Sequence, residues 1–291
     1  MAEQEKWDIE IKPKDKLLSV DFKELWNYRD LCSLFVKRNI ITQYKQTILG
    51  PVWFVVQPAL TVLMYMIVFG GIAGIPTDGV PRPLFYLAGT CMWNYFSECL
   101  TKTSNTFVSN SDIFGKVYFP RLVMPISDII SNLLRLAIQL GFFVIVYVVY
   151  FLVDPSCTAH LTWYALLFPL LILMMAGLAL GFGTIISSLT TKYRDLQVLF
   201  SFIVQLWMYA TPIVYPLSQT GSMRYFGIPV HKLMCLNPVT PIIETFKYGF
   251  LGAGDFVGWR WLIYSVVFMI VLLGAGIVVF NKVQKSFMDT V

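Results

Sequence analysis

The chain has 291 residues, of which 57% are apolar and only 13% charged, whereas about a quarter of a soluble domain is charged. The surplus excludes an ordinary water-soluble globule and makes lipid the solvent for most of the chain. The net charge of +5 does not mark a nucleic-acid binder, because nine of the 22 Lys and Arg lie within the first 45 residues and the rest are scattered.

Residues 1–24 alternate acids and lysines and contain no apolar core segment, so 1–21 reads as a cytosolic tail and not as a signal peptide. Residues 22–48 follow as an amphipathic unit, with a single helix predicted over 22–45. Phe22, Leu25, Cys32, Phe35 and Val36 fall on one face, and the stretch is too charged to span a bilayer. Such a helix can lie in the headgroup layer, with Trp26 and Tyr28 as anchors.

The remainder, 49–291, is predicted to be an all-α membrane domain with spans at 51–73, 84–107, 126–152, 163–189, 196–215 and 259–281. Pro58 lies inside the first span and should kink it or free a carbonyl. The fourth span carries Gly177, Ala179, Gly181 and Gly183, small residues that permit close helix packing. Between the second and third spans sits a polar, basic-tipped insert, 109–125. Pro120 and Pro125 read as stop signals that set it off from the third span. Between the fifth and sixth spans, 216–258 is rich in Pro and Gly. Two short helices dipping into one leaflet are predicted there, near 229–236 and 239–250.

Orientation follows from the distribution of Lys and Arg. One side collects sixteen, the other five (Arg82, Arg224, Lys232, Lys247, Arg260), and Arg135 lies inside a span. Both termini and the 109–125 insert are therefore expected in the cytosol, and 216–258 on the outer side.

No catalytic set emerges. His160 and His231 have no Cys or carboxylate companion at metal spacing, so no metal site is expected, and the five cysteines read as small packing residues. No GxSxG, HExxH or GxxxxGK[ST] motif occurs, so no phosphate-cradling loop is available for nucleotide. Driven work would require an ATPase on another chain, and the 109–125 insert is the candidate surface to receive it.

Two features within the spans carry functional weight. Glu98 lies about 21 Å below the outer end of the second span, and Arg135 about 14 Å above the inner end of the third. Adjacent antiparallel helices would bring them to similar depth as an intramembrane ion pair. The second feature is aromatic: Trp53, Phe54 and Tyr65 in the first span, Trp93, Tyr95 and Phe96 in the second, and Trp207, Tyr209 and Tyr215 in the fifth. Such rings can stack against sugars, and they also form interfacial belts and packing.

Six stretches, in order, resemble the type-2 ABC permeases of polysaccharide exporters. They are Tyr44–Pro58 (YKQTILGPVWFVVQP), Lys116–Pro125 (KVYFPRLVMP), Tyr193–Leu196 (YRDL), Leu206–Pro216 (LWMYATPIVYP), Asn237–Phe246 (NPVTPIIETF) and Phe287–Val291 (FMDTV, like the family's FADVI ending). The resemblance implies a homodimer of six-span subunits in the bacterial inner membrane, working with two copies of a cytosolic ATPase that binds ATP and magnesium. No cofactor is then expected in this chain, which is a transport subunit and not itself an enzyme. The implied substrate is a lipid-linked polysaccharide such as an O-antigen, capsule or teichoic acid chain.

The resemblance further implies a coupling element around Phe114, Lys116, Tyr118, Phe119 and Arg121, with Arg194 and Asp195 in the second cytosolic loop. It implies an interface helix at 22–48, outward gate helices within 229–250, and a channel lined by the aromatics of the first, second and fifth spans. Two departures stand out. The tail before residue 22 is longer than in many members, and Arg135 stands where the family pattern has a neutral or acidic residue. Two other readings use the same chain differently. A permease for a drug or small lipid would need a narrower channel. A membrane-embedded glycosyl or acyl transferase would need an acid or His cluster at the membrane surface, which the sequence lacks.

Overall fold

The computed structural model describes residues 22–45, 50–114, 116–117, 119–154, 157–191, 193, 195–221, 223–225 and 227–286. The tail, Tyr118, Arg194 and the FMDTV ending lie outside the described residues.

The predicted N-terminal helix is two helices, α1 (Phe22–Asn27) and α2 (Arg29–Tyr44), broken at Tyr28. Leu25, Tyr28, Leu31, Cys32 and Phe35 turn toward protein. Tyr28 is thus a packing residue and not a headgroup anchor, while Trp26 is 69% exposed. A 3₁₀ turn, Gly50–Val52, leads into α3 (Trp53–Tyr65), which continues as π-helical turns over Met66–Ile72. The widened pattern appears as the Ala73 N–H donating to the Val68 carbonyl at 2.9 Å. Pro58 removes one helical rung, yet the helix stays regular past it, and the change of hydrogen bonding comes at Met66.

Helix α4 (Arg82–Ser104) is the centre of the molecule. It packs against α3 and against five helices described below, and Leu84, Phe85, Tyr86, Leu87, Met92, Phe96 and Leu100 on it are fully buried. Its inner charges Glu98 and Lys102 are half-buried beside polar partners on a neighbouring helix, which makes them tolerable within the bundle, and Arg82 at its start is exposed.

The insert folds as two single-turn helices, α5 (Thr106–Ser109) and α6 (Ser111–Phe114), followed by a loop. Helix α7 then begins at Val123 and runs to Val153. Pro125 therefore sits in its first turn, where a missing N–H is harmless, and Pro120 alone lies ahead of the helix.

A 3₁₀ turn, Trp163–Leu167, precedes α8 (Phe168–Thr190). Helix α9 (Leu196–Tyr209) is shorter than its predicted span, because Pro212 cannot continue a helix and disfavours helical backbone at Thr211. A 3₁₀ turn, Leu217–Gly221, leads to a two-stranded antiparallel hairpin, β1 (Arg224–Tyr225) with β2 (Ile228–Pro229). Two short helices follow, α10 (Val230–Cys235) and α11 (Thr240–Leu251), and the final helix is α12 (Trp259–Ser286).

Among the described residues, four helical stretches are long and apolar enough to cross a membrane: Gly50–Ile72, Val123–Val153, Trp163–Thr190 and Trp259–Val283. In lipid, helices associate through packing and hydrogen bonds more than through expulsion of water. The α8–α12 seam shows this directly: a Cβ on Gly181 would sit 2.8 Å from Leu272 Cγ. Around the far side of α8, Gly183 meets Thr103 of α4, so small residues on two faces admit two neighbours.

Candidate functional site

Three groups of side chains account for the residues singled out in the sequence. The first is an aromatic pad at the junction of α2, the insert and the end of α12. Phe107 stacks on Phe280 with centroids 4.6 Å apart, Phe114 meets Phe119 at 5.6 Å, and Phe119 meets Phe35 at 5.7 Å. The Arg121 guanidinium lies 5.4 Å from the centroid of the Phe114 ring, and that of Arg38 lies 4.9 Å from Phe35. Burial holds Arg121 below its ordinary range by penalising the charged form. The pad is tied to α7 by Asn39 Nδ2, which donates to Asp128 Oδ1 at 2.8 Å.

Phe114, Phe119 and Arg121 are thus buried in the chain and do not present a contact surface. The resemblance places them in the coupling element, but their side chains face inward, where Phe35 of α2 and Phe280 of α12 pack in the same cluster. Among the described residues of the insert, Ser109, Asp112, Lys116 and Val117 are exposed. In the second loop Asp195 is exposed. Helix α5 packs on α8, where the Phe107 N–H donates to Ser187 Oγ at 3.4 Å, and Thr190 Oγ1 of α8 donates to the Ser104 carbonyl at the end of α4 at 3.3 Å.

The second group crosses α3, α4 and α7. Arg135 Nη1 lies 2.6 Å from Glu98 Oε1, Arg135 Nη2 donates to Gln57 Oε1 at 3.4 Å, and the guanidinium lies 5.0 Å from the centroid of the Phe54 ring. One turn lower, Lys102 Nζ donates to Asn132 Oδ1 at 3.0 Å. Asp128, Asn132 and Arg135 recur at helical spacing on α7, so this face is a polar stripe that meets α2 and α4.

The third group is aromatic. Trp207 of α9 meets Phe182 at 5.1 Å, Phe96 at 5.3 Å and Trp93 at 6.4 Å, largely edge to face. Tyr65 Oη donates to Met208 Sδ at 3.4 Å, and Tyr215 Oη donates to the Tyr209 carbonyl at 2.8 Å. Trp93, Tyr95 and Phe96 are buried within the chain and are packing residues, not lining residues of a single subunit. Phe54, Tyr65, Trp207 and Tyr215 are half-buried, and only Trp53 and Tyr209 are exposed.

Sequence reasoning missed Phe35, Phe107 and Phe280 as partners of the insert, and it missed Asn237. It also counted Lys247 as an outer-loop charge, but that side chain is 1% exposed and lies 3.0 Å from Glu244 Oε1. The signal was present: a carboxylate and an ammonium at i and i+3 inside an apolar run are worth pairing before they are counted as loop charges.

Comparison with known proteins identifies the family of the chain. Residues 30–251 match the family model described as ABC-2 type transporter. The chain is 28% identical over 228 residues to the O-antigen export system permease protein RfbA of Myxococcus xanthus, covering 77% of this chain and 82% of that one. A protein of the same name from Klebsiella pneumoniae is 24% identical over 260 residues, covering 89% and 94%. The polysialic acid transport protein KpsM of Escherichia coli is 21% identical over 264 residues, covering 87% and 93%. The family match spans well over half of a chain whose long apolar helices suit a membrane, and the chain belongs to the ABC-2 type transporter family.

Proposed function

We propose that the chain is the membrane-spanning permease subunit of an ATP-driven exporter of a lipid-linked, O-antigen-like polysaccharide. The observation that carries this reading is the similarity, over most of both chains, to permeases named for O-antigen export. The working unit is a homodimer in the bacterial inner membrane, joined on its cytosolic side by two copies of an ATPase. Each subunit crosses six times: the four long apolar helices, α4 shielded at the centre, and α9 with the segment that follows it. Both termini are cytosolic, and α10 and α11 dip into the membrane from outside as gate helices.

Lys116 and Val117 at the tip of the insert, with Asp195 of the second loop, touch the ATPase. Phe114, Phe119 and Arg121 behind them carry its motion to α2, α7 and α12. The apolar outer faces of α3 and α9, with exposed Trp53 and Tyr209, border the path of the glycan. Many weak stacking contacts there suit the passage of a long chain better than one tight site. The test is export by the chain reconstituted with its ATPase and a lipid-linked glycan. ATP-dependent appearance of the glycan on the far side supports the reading, and transport of a drug or small lipid alone would reject it.

A further inference from the structure

Helix α9 stops at Tyr209, and the backbone beyond it has carbonyls that no helix satisfies. Away from water such groups need donors supplied by the protein. The two short outer helices supply them. Asn237, between α10 and α11, donates through Nδ2 to Oγ1 of the buried Thr211 at 2.9 Å and reaches the exposed Ala210 carbonyl at 3.5 Å. Its Oδ1 accepts from Trp207 Nε1 at 3.1 Å and from the Val239 N–H at 3.2 Å, and two N–H donors on one side fix the amide's orientation. Lys247 of α11 donates through Nζ to the Pro212 carbonyl. The same ammonium lies 3.0 Å from Glu244 Oε1 and 4.0 Å from the centroid of the Phe85 ring on α4. Close by, a Cβ on Gly89 of α4 would sit 3.0 Å from the Ile213 carbonyl oxygen, so the broken end of α9 rests on α4 at backbone distance.

A buried ion pair adds little net stability over apolar residues of the same shape, and its best-attested use is to fix register. Here the pair and the amide both point at the same few residues after α9. We propose that Asn237 and Lys247 are positioning residues that fasten the outer helix pair to the broken end of α9, so that the aromatic cluster around Trp207 and the outer cap move as one body. Its consequence for transport rests on the export reading above.

The experiment is hydrogen–deuterium exchange on the purified full chain with its ATPase, together with export per assembled complex. In the unsubstituted protein, residues 209–215 and 237–247 exchange slowly and together. Asn237→Ala and Trp207→Phe each speed exchange in both segments by about tenfold, the scale of one lost hydrogen bond, and the double variant adds nothing further. Lys247→Met alone strands the Glu244 carboxylate, so the charge-neutral Glu244→Gln/Lys247→Met variant is measured as well. It is expected to speed exchange at 209–215 and to lower export several-fold while ATP hydrolysis continues. Faster exchange at 237–247 with 209–215 unchanged overturns the proposal, as do additive effects of Asn237→Ala and Trp207→Phe. If the unsubstituted complex moves no glycan but the two segments remain linked, the export reading fails and the fastening stands.

Discussion

Arg135 Nη1 lies 2.6 Å from Glu98 Oε1, joining α7 to α4 inside the membrane-spanning body. The Arg135 side chain is 14% exposed and that of Glu98 35%, so the pair is shielded on one side and reachable on the other. Removing the carboxylate alone leaves a charge in a poor solvent. Glu98→Gln is expected to destabilise by about 2 kcal/mol, below the range for a fully buried pair. Glu98→Gln/Arg135→Met should recover most of the loss. Thermal unfolding in detergent checks both, and equal melting of all three proteins would remove the pair from the forces that hold α4 to α7.

The insert makes two opposite predictions for residues a few positions apart. Phe119 is buried between Phe35 and Phe114, so Phe119→Ala is expected to cost about 3 kcal/mol and lower the yield of folded protein. Lys116 and Val117 are exposed, so Lys116→Glu/Val117→Asp should leave melting unchanged. The same double variant should weaken recovery of the ATPase and its stimulation at least several-fold. Full recovery of the ATPase would show that the tip is not the contact.

The aromatics divide in the same way. Trp93→Ala and Phe96→Ala each empty a site beside Trp207 and should lower stability by about 3–5 kcal/mol. Trp53→Ala and Tyr209→Ala change exposed rings and should leave melting unchanged while lowering export several-fold. Export unaffected by the second pair would remove α3 and α9 from the glycan path.

Much of this arrangement was legible before any coordinates. The 1.5 Å rise and two charges stranded in apolar runs were enough to bring Glu98 and Arg135 to one depth. The two short helices in 216–258 followed from Pro and Gly interrupting an apolar run. Burial of Phe114, Phe119 and Arg121 was not legible. An aromatic-basic cluster has the same composition whether it faces a partner or its own chain, and here the choice is made by Phe35 and Phe280, which arrive from opposite ends of the sequence. Lys247 was misread for a related reason. Its neighbours look like an outer loop, and only the fold brings the Pro212 carbonyl and the Phe85 ring to it.

Close packing along α8 gives a further check. A Cβ on Gly181 meets Leu272, so Gly181→Ala is expected to cost about 1–3 kcal/mol by forcing α12 outward. Gly141 has nothing within 4 Å of such a Cβ, so Gly141→Ala should cost nothing and stabilise slightly through helix propensity. Melting temperatures of the two variants separate a packing role from a general effect of glycine.

The most direct measurement is translocation in proteoliposomes that contain the chain, its ATPase and a fluorescent lipid-linked polysaccharide. Glycan is expected to become accessible to an impermeant glycosidase on the far side only when ATP is present, and not with the Lys116→Glu/Val117→Asp variant. Glycan that crosses equally well without ATP, or fails to cross while ATP is hydrolysed by an intact complex, would contradict the assignment as a polysaccharide exporter.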